Sequence, residues 1–112
     1  MKVPNHDLAQ IPLGKLTAYL LSESHPKGRH KARLFRAFGF SDASPGEFAA
    51  ALLAHLATND VTETDSTLHG VNHVVDGPLV CPDGRQRTIR VIWFVANGAS
   101  SATLATAYPI KP

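Results

Sequence analysis

Thr88-Ile89-Arg90-Val91-Ile92-Trp93-Phe94-Val95-Ala96 is the stretch whose reading decides the fold. In an extended chain Ile89, Val91, Trp93 and Val95 line one face, and Thr88, Arg90, Ile92 and Phe94 line the other. The first face is wholly apolar and calls for a packed layer against it. The second carries a guanidinium and suits a sheet surface that stays open. Upstream, Pro82-Asp83-Gly84 is a turn with a mechanism, because proline presets φ and glycine accepts a positive φ. Before it, residues 61–67 and 71–80 also read as strands, joined near His69-Gly70. Downstream, Asn97-Gly98 opens another turn. A last strand over about 102–108 ends at Pro109.

N-terminal to residue 61 the apolar pattern follows the helical period. Leu13, Leu16, Leu20 and Leu21 make one stripe over 13–22, broken by Ser24-His25-Pro26-Lys27-Gly28. A second helix is expected over 29–38, with Gly39 as its C-terminal cap. Leu34, Phe35 and Phe38 share one of its faces, and Arg29, Arg33 and Arg36 the opposite one. Lys31 falls among the apolar residues, one turn before Phe35, and His30 sits at the border. Ser44-Pro45-Gly46-Glu47 is a capping box that starts a third helix. Phe48, Leu52, Leu53 and Leu56 form its expected buried stripe, and it ends near residues 58–60. The expected fold class is α+β: two to three N-terminal helices packed on one face of a four-stranded antiparallel β-meander. One domain is expected over 1–112, with helices at about 13–57 and sheet at about 61–109.

Composition bounds the function classes. A chain of 112 residues suits one core. With 44% apolar and 18% charged residues it is not a disordered chain. Its apolar runs are too short to cross a bilayer. No signal peptide is visible, which points to the cytoplasm and away from a membrane. The single Cys81 excludes an internal disulfide, and its neighbours Val80 and Pro82 favour a buried strand-end thiol over a nucleophile.

The net charge of +2 conceals segregation. Residues 24–41 (Lys27, Arg29, Lys31, Arg33, Arg36) and 84–112 (Arg85, Arg87, Arg90, Lys111) carry no Glu or Asp and sum to +9. Residues 42–83 carry seven acids and no Lys or Arg. Such a chain either presents a positive face to a polyanion or pairs its charges across the fold.

The candidate chemistry follows from strand alternation. On the last strand, small Ala105 and Ala107 suit the helix side, which sends Thr106 and Tyr108 to the side of Arg90. A guanidinium, a hydroxyl and a phenol on one surface are the groups that recognise phosphate. They are also ordinary strand residues. His30 is the usual type of general acid or base near neutral pH. Lys31, out of place on an apolar flank, either snorkels or reaches a cleft. Metal binding is disfavoured. His69 and His73 are four apart, but Gly70 and the strand context spoil a helical ligand pair, and neither CxxC nor HExxH occurs.

The segment from His25 to Phe40, the Val75-Asp76-Gly77-Pro78-Leu79 stretch, the Ile89-to-Trp93 strand and the closing Thr106-Ala107-Tyr108-Pro109 together resemble a family of small bacterial domains of unknown function. That family occurs as free proteins and as C-terminal modules of polymorphic toxins. It is in turn remotely similar to the barnase–EndoU–colicin–RelE superfamily of metal-independent ribonucleases. The resemblance implies attack of an RNA 2′-hydroxyl on the adjacent phosphorus, leaving a 2′,3′-cyclic phosphate, with no cofactor. His30 would be the acid or base, and Lys31 and Arg90 would stabilise charge. Thr106 would position the phosphate, and Tyr108 would stack on a base or donate its proton. Lys27, Arg29, Arg33, Arg36, Arg85 and Arg87 would hold the RNA, a tRNA being one candidate. The implied partner is a cognate antitoxin or immunity protein. The competing reading is a non-catalytic, antitoxin-like or regulatory binding module, for which the acidic 42–83 segment would be the working surface.

Overall fold

The computed structural model describes residues 1–12, 14, 29–41 and 43–110, for Arg29, His30 and Lys31 the backbone alone. Two α-helices are present among them, α1 (Arg29–Ala37) and α2 (Pro45–Thr58), after a short 3-10 turn at His6–Leu8. Four strands follow: β1 (Val61–Ser66), β2 (Gly70–Val80), β3 (Gln86–Ala96) and β4 (Thr103–Pro109). They form one antiparallel sheet in sequence order. The helix expected over 13–22 lies outside the described residues. The helix count within them is therefore two, at the lower end of the expectation.

Each helix end has a local cause. Gly39 adopts φ +104° and closes α1 in a Schellman motif. Its N–H donates to the Arg36 carbonyl at 3.0 Å, and the Phe40 N–H donates to the Phe35 carbonyl at 3.1 Å. At α2 the capping box fails to form. The Glu47 N–H donates to the Ser44 backbone carbonyl at 3.1 Å, which occupies the donor that the serine hydroxyl would have capped. Pro45 still supplies the preset first turn.

Both helices cover the same side of the sheet. Ile89, Val91 and Trp93 of β3 are fully buried there with Val75 and Leu79 of β2 and Ala107 of β4. Phe35 and Phe48, with ring centroids 4.8 Å apart, and Phe40, 4.6 Å from Phe48, fill the space between helices and sheet. Two expectations for this face are corrected. Leu34 and Leu53 are each 39% exposed. The true stripes are Ala32–Phe35–Phe38 and Phe48–Leu52–His55–Leu56, and a helix turns each leucine about 100° away from them. Leu104 is also buried, opposite Trp93, because a bulge at Ala105 shifts the β4 register. Strict alternation would have put Leu104 beside Thr106. Cys81 is a buried strand-end thiol as expected, and burial pushes its pKa up.

The C-terminus of α2 sits tightly on β2. The buried His55 Nε2 donates to the Gly77 carbonyl at 3.1 Å. Asn59 Nδ2 donates to the His55 carbonyl at 2.8 Å. A Cβ on Gly77 would overlap the Asn59 side chain, so only glycine allows this approach. Gly77→Ala should therefore lower stability by about 1–3 kcal/mol in urea unfolding. Adding Asn59→Ala should recover part of that loss rather than add to it.

Burial lowers the pKa of His55 and of His73. The unfolded chain then binds more protons below pH about 6.5. The stability contributed by the neutral rings is complete above that pH and is lost as pH falls below it. Urea midpoints should decline from pH 7 to pH 5, and the decline should be shallower in His73→Gln.

Candidate functional site

The side of the sheet away from the helices carries a cross-strand row. β2 and β3 pair without a break from Gly70↔Ala96 to Val80↔Gln86, which sets Asp76 opposite Arg90. β3 and β4 set Arg90 opposite Tyr108 and Ile92 opposite Thr106. Directly opposed residues share a face. Arg90, Thr106 and Tyr108 thus stand on one surface, as their alternation implied, with Asp76 added to them.

Asp76 and Arg90 form a bidentate pair, Nε to Oδ1 at 2.8 Å and Nη2 to Oδ2 at 2.8 Å. The planar guanidinium matches a carboxylate in this fork geometry. Hydrogen bonding from Arg90 holds the Asp76 carboxyl below its usual range, and a hydrogen bond to Thr62 adds to this. Asp76, followed by the Tyr108 side chain, pushes the Arg90 pKa further up. Thr62 is the bulged residue of β1, where the register shifts between Val61 and Glu63. Its hydroxyl also lies 3.2 Å from the Val74 carbonyl, so its one proton is shared between that oxygen and the Asp76 carboxylate. All four strands therefore help to hold the row. Beside it Val74 is 7% exposed although it lies outside the main core, next to Ile92 across the β2–β3 pair.

Sequence reasoning missed Asp76 as a partner of Arg90. The signal was available: Asp76 and Arg90 lie equally far from Asp83, the centre of the β2–β3 turn. That turn is built as expected. Gly84 takes φ +83°, and its N–H donates to the Cys81 carbonyl at 2.9 Å. Asp83 Oδ1 accepts from the Arg85 N–H at 2.9 Å.

The remaining expected site residues are spread over several elements. His30 and Lys31 occupy the first turn of α1, a helix that packs against β4. Their side chains, like that of Arg29, lie outside the described part of the structure, and so does Lys27. Arg33 is exposed on α1, and Arg36 is half-buried there and has an interaction partner. Arg85 is exposed in the β2–β3 turn. Arg87 faces the helix side, where its guanidinium lies 4.4 Å above the Phe38 ring and its Nη2 donates to Asp83 Oδ2 at 3.1 Å. Two of the strand arginines are thus paired with acids of the 42–83 segment, and the charge segregation of the sequence is partly cancelled in the fold. Among the described residues no group of three or more His, Cys, Asp or Glu is placed to hold a metal ion. No described helix is long and apolar enough to cross a membrane.

Comparison with known proteins places this geometry. No curated protein matches the chain. Among solved structures, a chain of a contact-dependent growth inhibition toxin–immunity protein complex from Klebsiella pneumoniae 342 is similar, with a TM-score of 0.71 and 13% identity. The likeness covers 89% of this chain and 98% of that one, and it shows a shared fold. Residues 2–111 match the family described as Domain of unknown function (DUF6883), and the chain belongs to that family.

Proposed function

We propose that this domain is a metal-independent endoribonuclease of the bacterial toxin type, working on the open face of its sheet. The observation that carries the reading is the in-register row of Asp76, Arg90 and Tyr108 with Thr106 beside it. A guanidinium has more N–H donors than its pairing with Asp76 and Tyr108 consumes, so donors remain for a phosphate oxygen. Asp76 fixes the plane of that guanidinium, and preorganised charge is what stabilises a crowded anionic transition state. The fold shared with a chain of a toxin–immunity complex supports a toxin-system role, with a cognate immunity protein or antitoxin as partner.

In this reading an RNA 2′-oxygen loses its proton and bonds to the adjacent phosphorus. The bond to the 5′-oxygen breaks, and that oxygen takes up a proton. The products are a 2′,3′-cyclic phosphate and a 5′-hydroxyl. His30 serves as acid or base, Lys31 and Arg90 stabilise the phosphorane charge, and Thr106 positions the phosphate. Tyr108 stacks on a base or donates its proton. Lys27, Arg29, Arg33, Arg36 and Arg85 supply screened attraction to the RNA backbone. The first turn of α1 carries His30 and Lys31 on the helix side of β4, whereas Thr106 and Tyr108 face the open side, so in this reading the α1 residues must act around the β4 edge.

Incubation with total RNA and tRNA in EDTA should give discrete fragments with cyclic-phosphate ends. His30→Ala/Lys31→Ala should abolish them, and Tyr108→Phe should slow them by about 10- to 100-fold. Intact RNA from the well-folded wild type would refute the assignment.

Asp76→Asn should leave the fold intact and slow cleavage on the order of tenfold, because Arg90 loses its orienting partner. It should also change the acid limb of stability. The native Asp76 pKa is depressed, so its contribution is present above the unfolded carboxylate value of about 3.9 and is lost as pH falls through the native value. Wild type and Asp76→Asn should therefore differ in thermal midpoint at pH 7 and converge at the acid end of the titration.

A further inference from the structure

We infer that a cleft where β3 starts and β4 ends, beside the β2–β3 turn, is a nucleobase subsite for the same substrate; this rests on the ribonuclease reading and assigns the part of the substrate held beyond the reacting phosphate. The cleft has a volume of about 290 Å³ and is lined by Phe38, Gln86, Arg87, Thr88, Pro109 and Ile110. That is the lower end of the range for small-molecule sites, and suits a single ring system. Its walls combine apolar surface from Phe38, Pro109 and Ile110 with a few polar groups, the usual make-up of a ligand site.

Three observations identify the occupant. First, the Arg87 guanidinium is stacked 4.4 Å above the Phe38 ring, which presents a planar cation at the cleft wall. Guanidinium planes and aromatic rings are the surfaces on which unpaired RNA bases stack. Second, the polar groups here are poorly used within the protein. Among the described residues Arg87 pairs with Asp83, and its buried Nε has no hydrogen-bond partner there. The Gln86 amide offers both a donor and an acceptor to a base edge. Third, the cleft lies at the end of the strands that carry the phosphate row, with Gln86 and Thr88 from the open face and Arg87, Phe38 and Pro109 from the helix side. Thr88 lies two residues before Arg90 on the same face of β3, about 7 Å along the strand. Pro109 directly follows Tyr108, and the Ile110 N–H donates to the Thr88 carbonyl at 3.1 Å, closing the end of the sheet. A nucleotide with its phosphate at Arg90 would carry its base along Thr88 and around this end of the sheet to enter the cleft.

The test is a titration of the ¹⁵N-labelled domain with nucleoside 3′-monophosphates, ribose 5-phosphate, inorganic phosphate and a glutamate-containing tripeptide. Nucleotides should shift the amides of Gln86, Arg87, Thr88 and Ile110, whereas the two phosphates without a base should not. Arg87→Lys keeps the charge and removes the plane, and it should weaken nucleotide binding about tenfold, the order of loss expected for one base stack. Gln86→Ala, at an exposed position, gives a second reading should Arg87→Lys fail to fold, and should weaken binding in the same direction. Equal shifts with ribose 5-phosphate, unchanged affinity in the variants, or shifts with the tripeptide alone would overturn the subsite. RNA cleavage with no nucleotide shifts at these amides would sink the subsite and leave the ribonuclease standing. Nucleotide shifts here without cleavage would do the reverse.

Discussion

The register of β2 against β3 is the constraint on which the rest of the structure depends. Eleven consecutive pairs run from Gly70↔Ala96 to Val80↔Gln86, all centred on Asp83. Because side chains alternate, this one alignment sorts both strands. It sends Val75, Val91, Gly77 and Ile89 to the helices and sends Asp76, Arg90, Val74 and Ile92 to the open side. A slip of one residue would exchange the two faces and bury Arg90 beneath α2. The turn prevents that slip. Pro82, Gly84 and the Asp83 carboxylate cooperate there in a single geometry, and the Cys81 N–H donates to the Arg85 carbonyl at 2.9 Å as the first rung of the ladder.

From that register the two faces acquire different roles. The helix side is a close-packed core in which Trp93 and the Phe35–Phe40–Phe48 cluster meet, and where α2 comes near enough to β2 to require Gly77. The open side carries polar groups held by other polar groups. Asp76 is placed by β2, Arg90 by β3, Tyr108 by β4, and Thr62 reaches in from the β1 bulge. At the outer side of β4, Gln10 makes an isolated parallel bridge to Thr103, so the N-terminal segment covers part of that edge. A rigid scaffold with its polar side chains fixed across strands favours preorganised electrostatics.

Much of this was legible in the sequence. The alternation of Ile89, Val91 and Trp93, the Gly39 cap, the Pro82–Gly84 turn and the placing of Arg90, Thr106 and Tyr108 on one face all follow from local rules. What local rules did not reveal depends on neighbours distant in the chain. The β4 bulge at Ala105 moved Leu104 into the core. Ser44 lost its capping role to its own backbone carbonyl. His55, a polar residue, took the buried position expected of Leu53, since Gly77 offered it an acceptor. The Asp76–Arg90 pair required carrying the turn register outward by seven residues on each side of Asp83. Charge segregation was visible, but its partial cancellation by Arg90–Asp76 and Arg87–Asp83 was not.

The functional account places the reacting phosphate on the open face, against residues from β3 and β4, with the base at the end of the sheet beside the β2–β3 turn. A crystal structure of the domain with a short RNA whose 2′-hydroxyl is replaced by hydrogen at one step tests this most directly, because that step cannot be cleaved by internal attack. The account predicts its phosphate within hydrogen-bonding distance of Arg90 and of Thr106 or Tyr108. A phosphate seated on the helix side, or no ordered RNA at concentrations that saturate binding in solution, would contradict it.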